Sequence, residues 1–347
     1  MPQRLTALDH AGLAAAADQA AATWRAGGLV AFPTETVYGL GAAARDPGAV
    51  ARVFAVKGRP AEHPLIVHLA DAAGLAAWAR RVPPVAARLA EAFWPGPLTL
   101  VLERRDDVPA GVTGGQPTIA LRVPDHPVAL ALLAAFGDGV AAPSANRFGR
   151  VSPTDADHVM ADLAHVGDLL VVDGGPCPVG IESTIVDLTD ARPLVRRLGG
   201  IAADELATVL GVPPDALDVD TGAHGARPGR AATRLPGTLA RHYAPDTPAR
   251  LVAPGTGEVA PEDVAVLARR PAPAGRRGPW AQLPDEPRAA ARSLYRVMRE
   301  LDAAGARELW LESVPVAPTW SAIADRLVRA VGEEPRGPRA GDLEEGT

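Results

Sequence analysis

Residues 29–41 of the chain read LVAFPTETVYGLG, and this stretch carries the first strong signal of its fold. Residues 29–32 are a short apolar run that predicts a buried strand, and the polar turn 33–36 follows without a gap. A strand that ends in hydroxyl groups and glycines can place small donors and bare backbone beside a ligand. By itself, however, the turn is as consistent with an ordinary loop as with a binding site.

Strands alternate with helices on both sides of this turn. The predicted helices cover residues 8–26, 49–57, 85–93 and 128–136. The predicted strands cover residues 65–69, 98–102, 119–123, 139–142, 169–172 and 183–187. This alternation predicts an α/β domain over residues 1–200, with a sheet that is largely covered by helices.

The character of the sequence changes after residue 200. Residues 201–247 are interrupted by proline and glycine and show little periodicity, which predicts a linker. Residues 248–333 predict a second α/β unit, with strands at 264–267 and 309–311 and helices at 288–304 and 320–331. At about 85 residues, such a unit can hold its own small core. The charged tail, residues 334–347, is predicted to be disordered.

Composition and charge exclude several classes of protein. Hydrophobic residues make up 47% of the 347 residues, which excludes global disorder. Cys177 is the only cysteine, so an internal disulfide is excluded and a reducing cytosol is favoured. The N-terminus lacks a signal-peptide pattern and no apolar run reaches the ~18 residues of a membrane span, so we expect a cytoplasmic protein. The net charge of −6 argues against a broad nucleic-acid surface but leaves room for a local basic pocket.

Besides cysteine, two residue types occur only once in the chain. Lys57 is the only lysine among 35 lysines and arginines, and Asn146 is the only asparagine. The abundance of Ala, Arg, Gly and Pro indicates a G/C-rich coding sequence that disfavours both types, so chance survival is one explanation. The other is that these sites have a function, and that arginine cannot replace a compact ammonium with three donors.

Lys57 also opens the segment KGRPAEHPLIVH, residues 57–68. Lys57 and Arg59 lie on a turn stiffened by glycine and proline just after a predicted helix, an arrangement that suits a polyanion. A charge contact near 4 Å contributes roughly 4 kcal/mol at a protein-like dielectric, against about 1 kcal/mol in water. A solvated basic turn is the alternative at this point. No metal-ligand spacing surrounds His63 and His68.

Five further segments combine glycine or proline with polar or charged side chains. They are residues 122–124, 141–154, 173–187, 196–200 and 236–245. The P-loop signature GxxxxGK[ST] is absent from the sequence, so an ATP site in this chain would not be a P-loop. The loose dinucleotide pattern GLGAAA at residues 39–44 is rejected, because no strand runs directly into its first glycine.

Taken in order, these segments closely resemble the YrdC-type threonylcarbamoyl-AMP synthases, in the long form with an appended C-terminal domain. The resemblance covers residues 28–331 and rests on PTETVYGLG, KGRP with PLIVH, SAN with SPT, GIESTIVD and GxxxRHYAP. Any one of these motifs is weak, but together they are highly specific. Lys57 and Asn146 both lie inside them.

The resemblance implies a fold and a reaction. The fold would be a YrdC-like twisted mixed sheet with helices around a concave site, then a linker that folds over the active site and a small C-terminal Rossmann-like α/β domain. The reaction would join ATP, L-threonine and bicarbonate, with Mg²⁺ accompanying the ATP, and release pyrophosphate. The product, threonylcarbamoyl-AMP, would pass to a tRNA threonylcarbamoyl transferase complex, with weak or transient contact to tRNA at most and no contact with a membrane.

The resemblance also implies roles for individual residues, with no metal ligand from the protein. Lys57 and Arg59 are expected to be catalytic and to grip the triphosphate. The rest of the expected ATP site comprises His63, Thr118, Ser144, Asn146, Ser152, Arg197 and Tyr243. The expected threonine site comprises Thr36, His68, Arg122, Ala142 and Ser183, with Arg122 and Ser183 as anchors for the carboxylate. His63 stands where many relatives have asparagine.

Two other functions compete with this interpretation. One is an RNA-binding module, since relatives of this fold have been regarded as binders of double-stranded RNA. The net charge of −6 and the lack of basic patches interleaved with aromatic residues count against it. The other is a different carbamoyl-adenylate enzyme that uses carbamoyl phosphate, but this chain lacks the cysteine pairs of the accompanying zinc fingers, and its C-terminal unit is too small for a second catalytic region.

Overall fold

Backbone pairing joins the strands of the described residues into two sheets, one large and mixed, the other small and parallel. The computed structural model describes residues 1–220, 234–237 and 239–332. The predicted tail, 334–347, and part of the predicted linker lie outside these ranges.

The large sheet contains eleven strands within the described ranges: β1 (Gln3–Thr6), β2 (Val30–Phe32), β3 (Gly39–Ala43), β4 (Ile66–His68), β5 (Leu98–Glu103), β6 (Thr118–Arg122), β7 (Val140–Ala141), β8 (Leu170–Asp173), β9 (Thr184–Asp187), β10 (Leu194–Arg197) and β11 (Asp218–Val219). Their order across the sheet is β1-β8-β2-β3-β7-β4-β6-β5-β9-β10-β11. The helices of this unit are α1 (His10–Arg25), α2 (Pro47–Lys57), α3 (Pro84–Phe93), α4 (Pro127–Phe136), α5 (Ala156–Asp162) and α6 (Ala203–Leu210).

The small sheet contains β12 (Ala249–Val252), β13 (Val264–Ala268), β14 (Trp280–Gln282) and β15 (Glu308–Glu312), in the order β12-β15-β13-β14. Its helices are α7 (Pro287–Asp302) and α8 (Ser321–Val331). Short 3₁₀ turns lie at Ala72–Ala77, Ala110–Thr113, Pro214–Ala216, Thr256–Val259 and Pro318–Trp320. None of the helices in the described part of the chain has both the length and the apolar character that a bilayer crossing requires.

Helices cover both faces of the large sheet. Successive residues of a strand point to opposite faces, and Ala31 and Phe32 of β2 accordingly belong to two different apolar clusters. Phe32 packs with Trp24 of α1, and the same cluster contains apolar residues of α4. Ala31 shares its cluster with Val53 of α2 and Leu89 of α3. The predicted α/β fold with a covered mixed sheet is therefore confirmed.

Helix α2 positions the basic pair at its C-terminal end, Lys57 and Arg59. Asp46 caps its first turn by accepting from Gly48 N at 2.8 Å, and Pro47 occupies the first helical position, where it costs no hydrogen bond. Gly58 adopts a left-handed φ of 62°, a conformation that closes a helix and is open to glycine. The chain therefore leaves the helix at Lys57 and turns before Arg59.

Two segments differ from the sequence predictions. The glycine-rich residues 39–43 form β3, antiparallel to β2, so the rejected dinucleotide pattern lies inside a strand. Residues 203–210 of the predicted linker form α6, whose Leu206 is buried in the main core. The expectation of an irregular segment was wrong for these residues, because tertiary packing stabilises a short helix that the surrounding prolines and glycines obscured.

The C-terminal unit packs on the large-sheet unit through a shared apolar cluster. The predicted stripe on α7, residues Leu294, Val297, Met298 and Leu301, is buried. The same cluster contains Val37, Val151 and Ile181 from the large-sheet unit, together with Ile323 and Leu327 of α8. Apolar burial of this kind stabilises docking by roughly 25 cal/mol per Å² of surface removed from water.

The backbone at Gly199, just after β10, is packed closely against the backbone of residues 182–184. A Cβ on this residue would lie 2.3 Å from Glu182 O and 2.4 Å from the carbonyl carbon of Ser183. We expect Gly199→Ala to lower the free energy of unfolding by about 1–3 kcal/mol or more, because backbone must move to make room. Gly111→Ala is the control, since its Cβ would meet only Val50 Cγ1, at 4.0 Å. Urea denaturation measures both, and equal midpoints for the two variants would contradict the packing argument.

Candidate active site

The carboxyl ends of β4 and β6 open onto one cleft. These parallel strands pair His68 with Arg122, so both side chains leave the sheet at the same edge. The turn after β2 and the loop after β7 border the same cleft, and part of its lining comes from Pro236, Gly237, His242 and Tyr243. Eight of the predicted site residues line it: Thr36, Arg59, His68, Arg122, Ala142, Ser144, Arg197 and Tyr243.

Lys57 lies buried directly behind this lining. Its Nζ donates to Ser144 O and to Asn146 O, both at 2.5 Å, and so ties the end of α2 to the loop after β7. Burial lowers the pKa of Lys57 well below its usual value, and the neighbouring charge of Arg59 lowers it further. An ammonium group has three donors, so these two bonds leave one donor over.

Two arginines form a cluster of buried cations with Lys57. Arg59 Nη2 donates to Pro64 O at 2.9 Å, and Arg197 donates from Nε to Ser183 O and from Nη2 to Ser183 Oγ, both at 2.9 Å. Burial lowers the pKa of Arg59 to about 10 and also lowers the pKa of Arg197. These hydrogen bonds go to carbonyl and hydroxyl oxygens rather than to carboxylates. The cluster is therefore suited to an anionic ligand that supplies the missing negative charge.

Hydroxyl groups lie in the cleft wall, at Thr34 and Thr36, and directly behind it, at Ser183 and Thr99. Thr34 Oγ1 lies 2.8 Å from Thr36 Oγ1 and donates to Val37 O at 2.7 Å, which fixes the turn after β2. Ser183 Oγ lies 2.7 Å from Thr99 Oγ1. Thr99 was not identified from the sequence, although it is the one polar residue in the otherwise apolar strand sequence LTLVL. That exception was the signal that could have found it.

His68 is held in its neutral form. Burial lowers its pKa to about 3, and the charge of Arg122 acts in the same direction. Its Nδ1 is buried and has no hydrogen-bond partner among the described residues. At neutral pH the imidazole therefore offers the cleft an uncharged hydrogen-bond donor or acceptor, and it adds no positive charge to that of the neighbouring lysine and arginines.

Arg122, which was expected to anchor a carboxylate, faces a carboxylate of the protein itself. Its Nη2 lies 2.6 Å from Glu35 Oε2, and the two side chains are only 4% and 3% exposed. The contact is an ion pair by charge and distance, without the angle of a regular hydrogen bond. Sequence reasoning missed Glu35, although an acidic residue between the two threonines of PTET was available as a signal.

Glu182 is a second buried carboxylate at the cleft. Ser152 Oγ donates to its Oε1 at 2.7 Å, while Tyr295 OH and Arg326 Nε donate to its Oε2, both at 2.8 Å. Burial by itself would raise the pKa of Glu182, but the charges of Arg326 and Arg197 and the hydrogen bonds lower it to about 2. Sequence reasoning missed this group, because Tyr295 and Arg326 lie 113 and 144 residues further along the chain.

Tyr243 covers the cleft in a strained conformation. Its φ is 59°, a left-handed value that is unfavourable for a bulky side chain and is held by the surrounding structure. Its ring stacks on that of Tyr295 with 5.7 Å between the ring centroids. The guanidinium carbon of Arg326 lies 5.0 Å from the centroid of the Tyr243 ring. Burial raises the pKa of the Tyr243 hydroxyl to about 12, so the hydroxyl is protonated at neutral pH.

Two predicted site residues lie away from the cleft lining. His63 packs edge-on against Phe148, with 5.5 Å between the ring centroids. Thr118 begins β6, at the end of that strand opposite to Arg122. The structure brings the other predicted residues together on the lining or directly behind it, the latter being Lys57, Asn146, Ser152 and Ser183.

The cleft does not provide a metal cage. Within the described ranges, no group of three or more His, Cys, Asp or Glu side chains is placed to hold a metal ion. The carboxylates of Glu35 and Glu182 are both engaged by arginines. A divalent cation at this site would therefore depend on oxygen atoms of a ligand.

Together, the fold and the cleft define an α/β protein with a cleft suited to a polyanion beside a smaller polar ligand. A family model described as "Telomere recombination", for Sua5, YciO and YrdC proteins, matches residues 22–199, and one described as "Threonylcarbamoyl-AMP synthase, C-terminal domain" matches residues 201–332. The chain belongs to the threonylcarbamoyl-AMP synthase family. The resemblance inferred from the motifs is confirmed.

Individual relatives agree with this assignment. The threonylcarbamoyl-AMP synthase of Pyrococcus abyssi is 38% identical over 321 residues, which cover 89% of this chain and 92% of the relative. That of Bacillus subtilis is 38% identical over 337 residues, 90% of this chain and 92% of the relative. The crystal structure of P. abyssi Sua5 in complex with L-threonine superposes with a TM-score of 0.83 at 35% identity, over 96% of this chain and 98% of that one.

The buried pair of Glu35 and Arg122 gives a direct test of the site's electrostatics. Glu35→Gln removes the only charge partner in contact with the buried guanidinium among the described residues, and breaking such a pair typically costs about 3–5 kcal/mol of unfolding free energy. The double variant Glu35→Gln/Arg122→Met removes both charges and is expected to recover most of that loss. Urea unfolding at neutral pH measures the three free energies. Equal stability of the Glu35→Gln variant and the unmodified protein would contradict the ion pair.

Proposed function

We propose that this chain synthesises L-threonylcarbamoyl-AMP from ATP, L-threonine and bicarbonate and releases pyrophosphate. This would be the first step in forming N6-threonylcarbamoyladenosine in tRNA. The observation that carries the proposal is the juxtaposition of a cation cluster, Lys57, Arg59 and Arg197, whose hydrogen bonds go to carbonyl and hydroxyl oxygens, with the pocket that ends at Arg122. The first suits a triphosphate and the second a small amino acid.

The chemistry requires no protein nucleophile. The threonine amine combines with bicarbonate, loses water and becomes an N-carboxylate. One oxygen of this carboxylate then attacks the α-phosphorus of ATP, and pyrophosphate leaves. Such a reaction depends on holding the reactants in line and on neutralising phosphate charge, and fixed donors and cations can do both.

The cation cluster would act on the triphosphate. Arg59 and the remaining donor of Lys57 would contact phosphate oxygens, with Arg197 adding charge from β10. Lys57 and Arg59 would thereby stabilise the charge that develops on the leaving pyrophosphate. The other residues assigned to ATP in this proposal are Ser144, Asn146, Ser152 and Tyr243, with His63 and Thr118 as outlying members of the nucleotide site.

The threonine pocket would bind both ends of the amino acid. Arg122 and Ser183 would hold its carboxylate, and the ion pair with Glu35 keeps the Arg122 guanidinium in place for that contact. Thr36, neutral His68 and the Ala142 backbone would complete the pocket. A neutral imidazole is the useful form here, because a protonated one would compete for the threonine carboxylate with the arginine.

Mg²⁺, the partner complex and the location belong to the same proposal. Mg²⁺ would enter with ATP, held mainly by phosphate oxygens, since the described residues offer no cage for it. The short-lived product would be handed to a tRNA threonylcarbamoyl transferase complex, with transient tRNA contact at most, in the cytoplasm where ATP and tRNA are available. Residues 1–200 would form the catalytic domain, 201–247 the segment that covers it, and 248–333 the appended domain.

Pyrophosphate release tests the proposed reaction. Purified protein with MgATP should release pyrophosphate only when L-threonine and bicarbonate are both present. Arg59→Ala and Lys57→Ala should each lower the rate at least about 100-fold, the usual loss when one donor to a developing charge is removed.

Arg80→Ala is the matched control, because Arg80 is an exposed arginine that pairs with Asp106 away from the cleft. Its rate should equal that of the unmodified protein. Release that needs carbamoyl phosphate instead of threonine and bicarbonate would contradict the proposal. So would folded protein that binds tRNA but releases no pyrophosphate under any combination of substrates.

A further inference from the structure

We propose that Arg326, on α8 of the C-terminal unit, is a positioning residue of the nucleotide site that acts through Glu182 on Ser152 and Tyr243. The inference rests on the proposed function in one respect, namely that the ligand of this site is ATP. It gives the C-terminal unit a specific role, which is to complete a cleft whose other walls come from the large-sheet unit.

Arg326 is fixed by contacts on all sides. Its side chain is 0% exposed, and its Nε donates to Glu182 Oε2 at 2.8 Å. Its Nη2 donates to Leu198 O at 2.8 Å and its Nη1 to Asp325 Oδ2 at 2.6 Å. The guanidinium also lies against the Tyr243 ring. The guanidinium thus joins α8 to Glu182, Leu198 and Tyr243.

Tyr295 of α7 converges on the same carboxylate. Its hydroxyl donates to Glu182 Oε2 at 2.8 Å, and its ring stacks on Tyr243 at an interplanar angle of 26°. Both helices of the C-terminal unit therefore touch Glu182 and Tyr243. Neither Arg326 nor Tyr295 lies among the residues that line the cleft, so they reach a ligand only through these two groups.

Stability alone does not account for this arrangement. The shared apolar cluster already stabilises the docking of the C-terminal unit on the large-sheet unit. Burying an ion pair usually contributes little net stability compared with apolar packing. A functional account is more direct. The ionised carboxylate of Glu182 holds Ser152 but would repel a triphosphate, and the charge of Arg326 offsets that repulsion while orienting the carboxylate.

Steady-state kinetics of pyrophosphate release tests the inference. We expect Arg326→Met to raise the KM for ATP about tenfold or more. The KM for threonine should stay within about twofold of its value in the unmodified protein. Glu182→Gln/Arg326→Met should recover most of this loss, since glutamine keeps an acceptor for Ser152 and removes the uncompensated charge. Assays run well below the melting temperature of every variant, so that loss of folded protein does not enter the KM.

Two further variants complete the design. Arg292→Ala is the matched control, because Arg292 Nε bridges the units by donating to Pro178 O at 2.7 Å without contacting Glu182 or Tyr243. Its KM values should equal those of the unmodified protein. Tyr295→Phe removes a single hydrogen bond to Glu182 and keeps the ring, so it should raise the KM for ATP about threefold. This variant keeps the inference testable if Arg326→Met does not fold.

A pH profile separates positioning from a general structural role. The charged or titratable groups that face Glu182 are Arg197 from β10, His242 and Tyr243, Tyr295 from α7, and Arg326 from α8, which is itself paired with Asp325. In the unmodified protein the pKa of Glu182 is about 2, so its charge is constant above pH 5. Without Arg326, burial raises this pKa. The KM for ATP of Arg326→Met should therefore fall as the pH is lowered from 8 to about 5.5, whereas that of the unmodified protein should not follow this trend.

The outcomes distinguish this inference from the proposed function. Folded Arg326→Met with an unchanged KM for ATP would overturn the inference, and so would equal rises in the KM for both substrates or a double variant that recovers nothing. In each case the unmodified protein still makes threonylcarbamoyl-AMP. If the unmodified protein itself releases no pyrophosphate, the proposed function fails before any variant is measured.

Discussion

Buried positive charge is the constraint on which the rest of this structure depends. Lys57, Arg59, Arg122, Arg197 and Arg326 all lie inside the protein around one cleft, where unpaired charge is costly. Two of them are matched by buried carboxylates, Arg122 by Glu35 and Arg326 by Glu182. The other three donate hydrogen bonds to carbonyl and hydroxyl oxygens among the described residues, and Glu182, whose charge also reaches Arg197, is already paired with Arg326. The cleft is therefore electrostatically incomplete, and an anionic ligand is what completes it.

The same constraint explains why the cleft is built from two units. The large mixed sheet brings the ends of β4, β6 and β10 to one edge, which supplies His68, Arg122 and Arg197. Its carboxylate at Glu182 is held from the other side by α7 and α8. Tyr243 stacks on Tyr295 of α7 in a left-handed conformation that its neighbours enforce. The C-terminal unit thus contributes to the site without lining it.

Much of this could be predicted from the sequence, and the limits have physical reasons. Local apolar periodicity predicted the main helices and strands, and the motifs predicted most of the residues that meet at the cleft. Glu35, Glu182 and Arg326 were missed, because a partner in an ion pair is defined by tertiary contact and leaves no periodic signal. Helix α6 was missed because a single turn of apolar spacing is weak beside many prolines and glycines. Thr118 was assigned to the ATP site from the family resemblance and lies outside the motifs themselves, and the structure places it at the far end of β6.

The most direct test of the account is the affinity of the cleft for a series of nucleotides that differ only in phosphate charge. Titration calorimetry with adenosine, AMP, ADP and a non-hydrolysable ATP analogue, each with Mg²⁺, compares ligands that share one base and sugar. We predict that affinity rises along the series, by about tenfold or more from AMP to the triphosphate, and that Arg59→Ala removes most of this rise. Equal affinities for adenosine and the triphosphate would contradict it, because the buried cations would then have no part in holding the ligand.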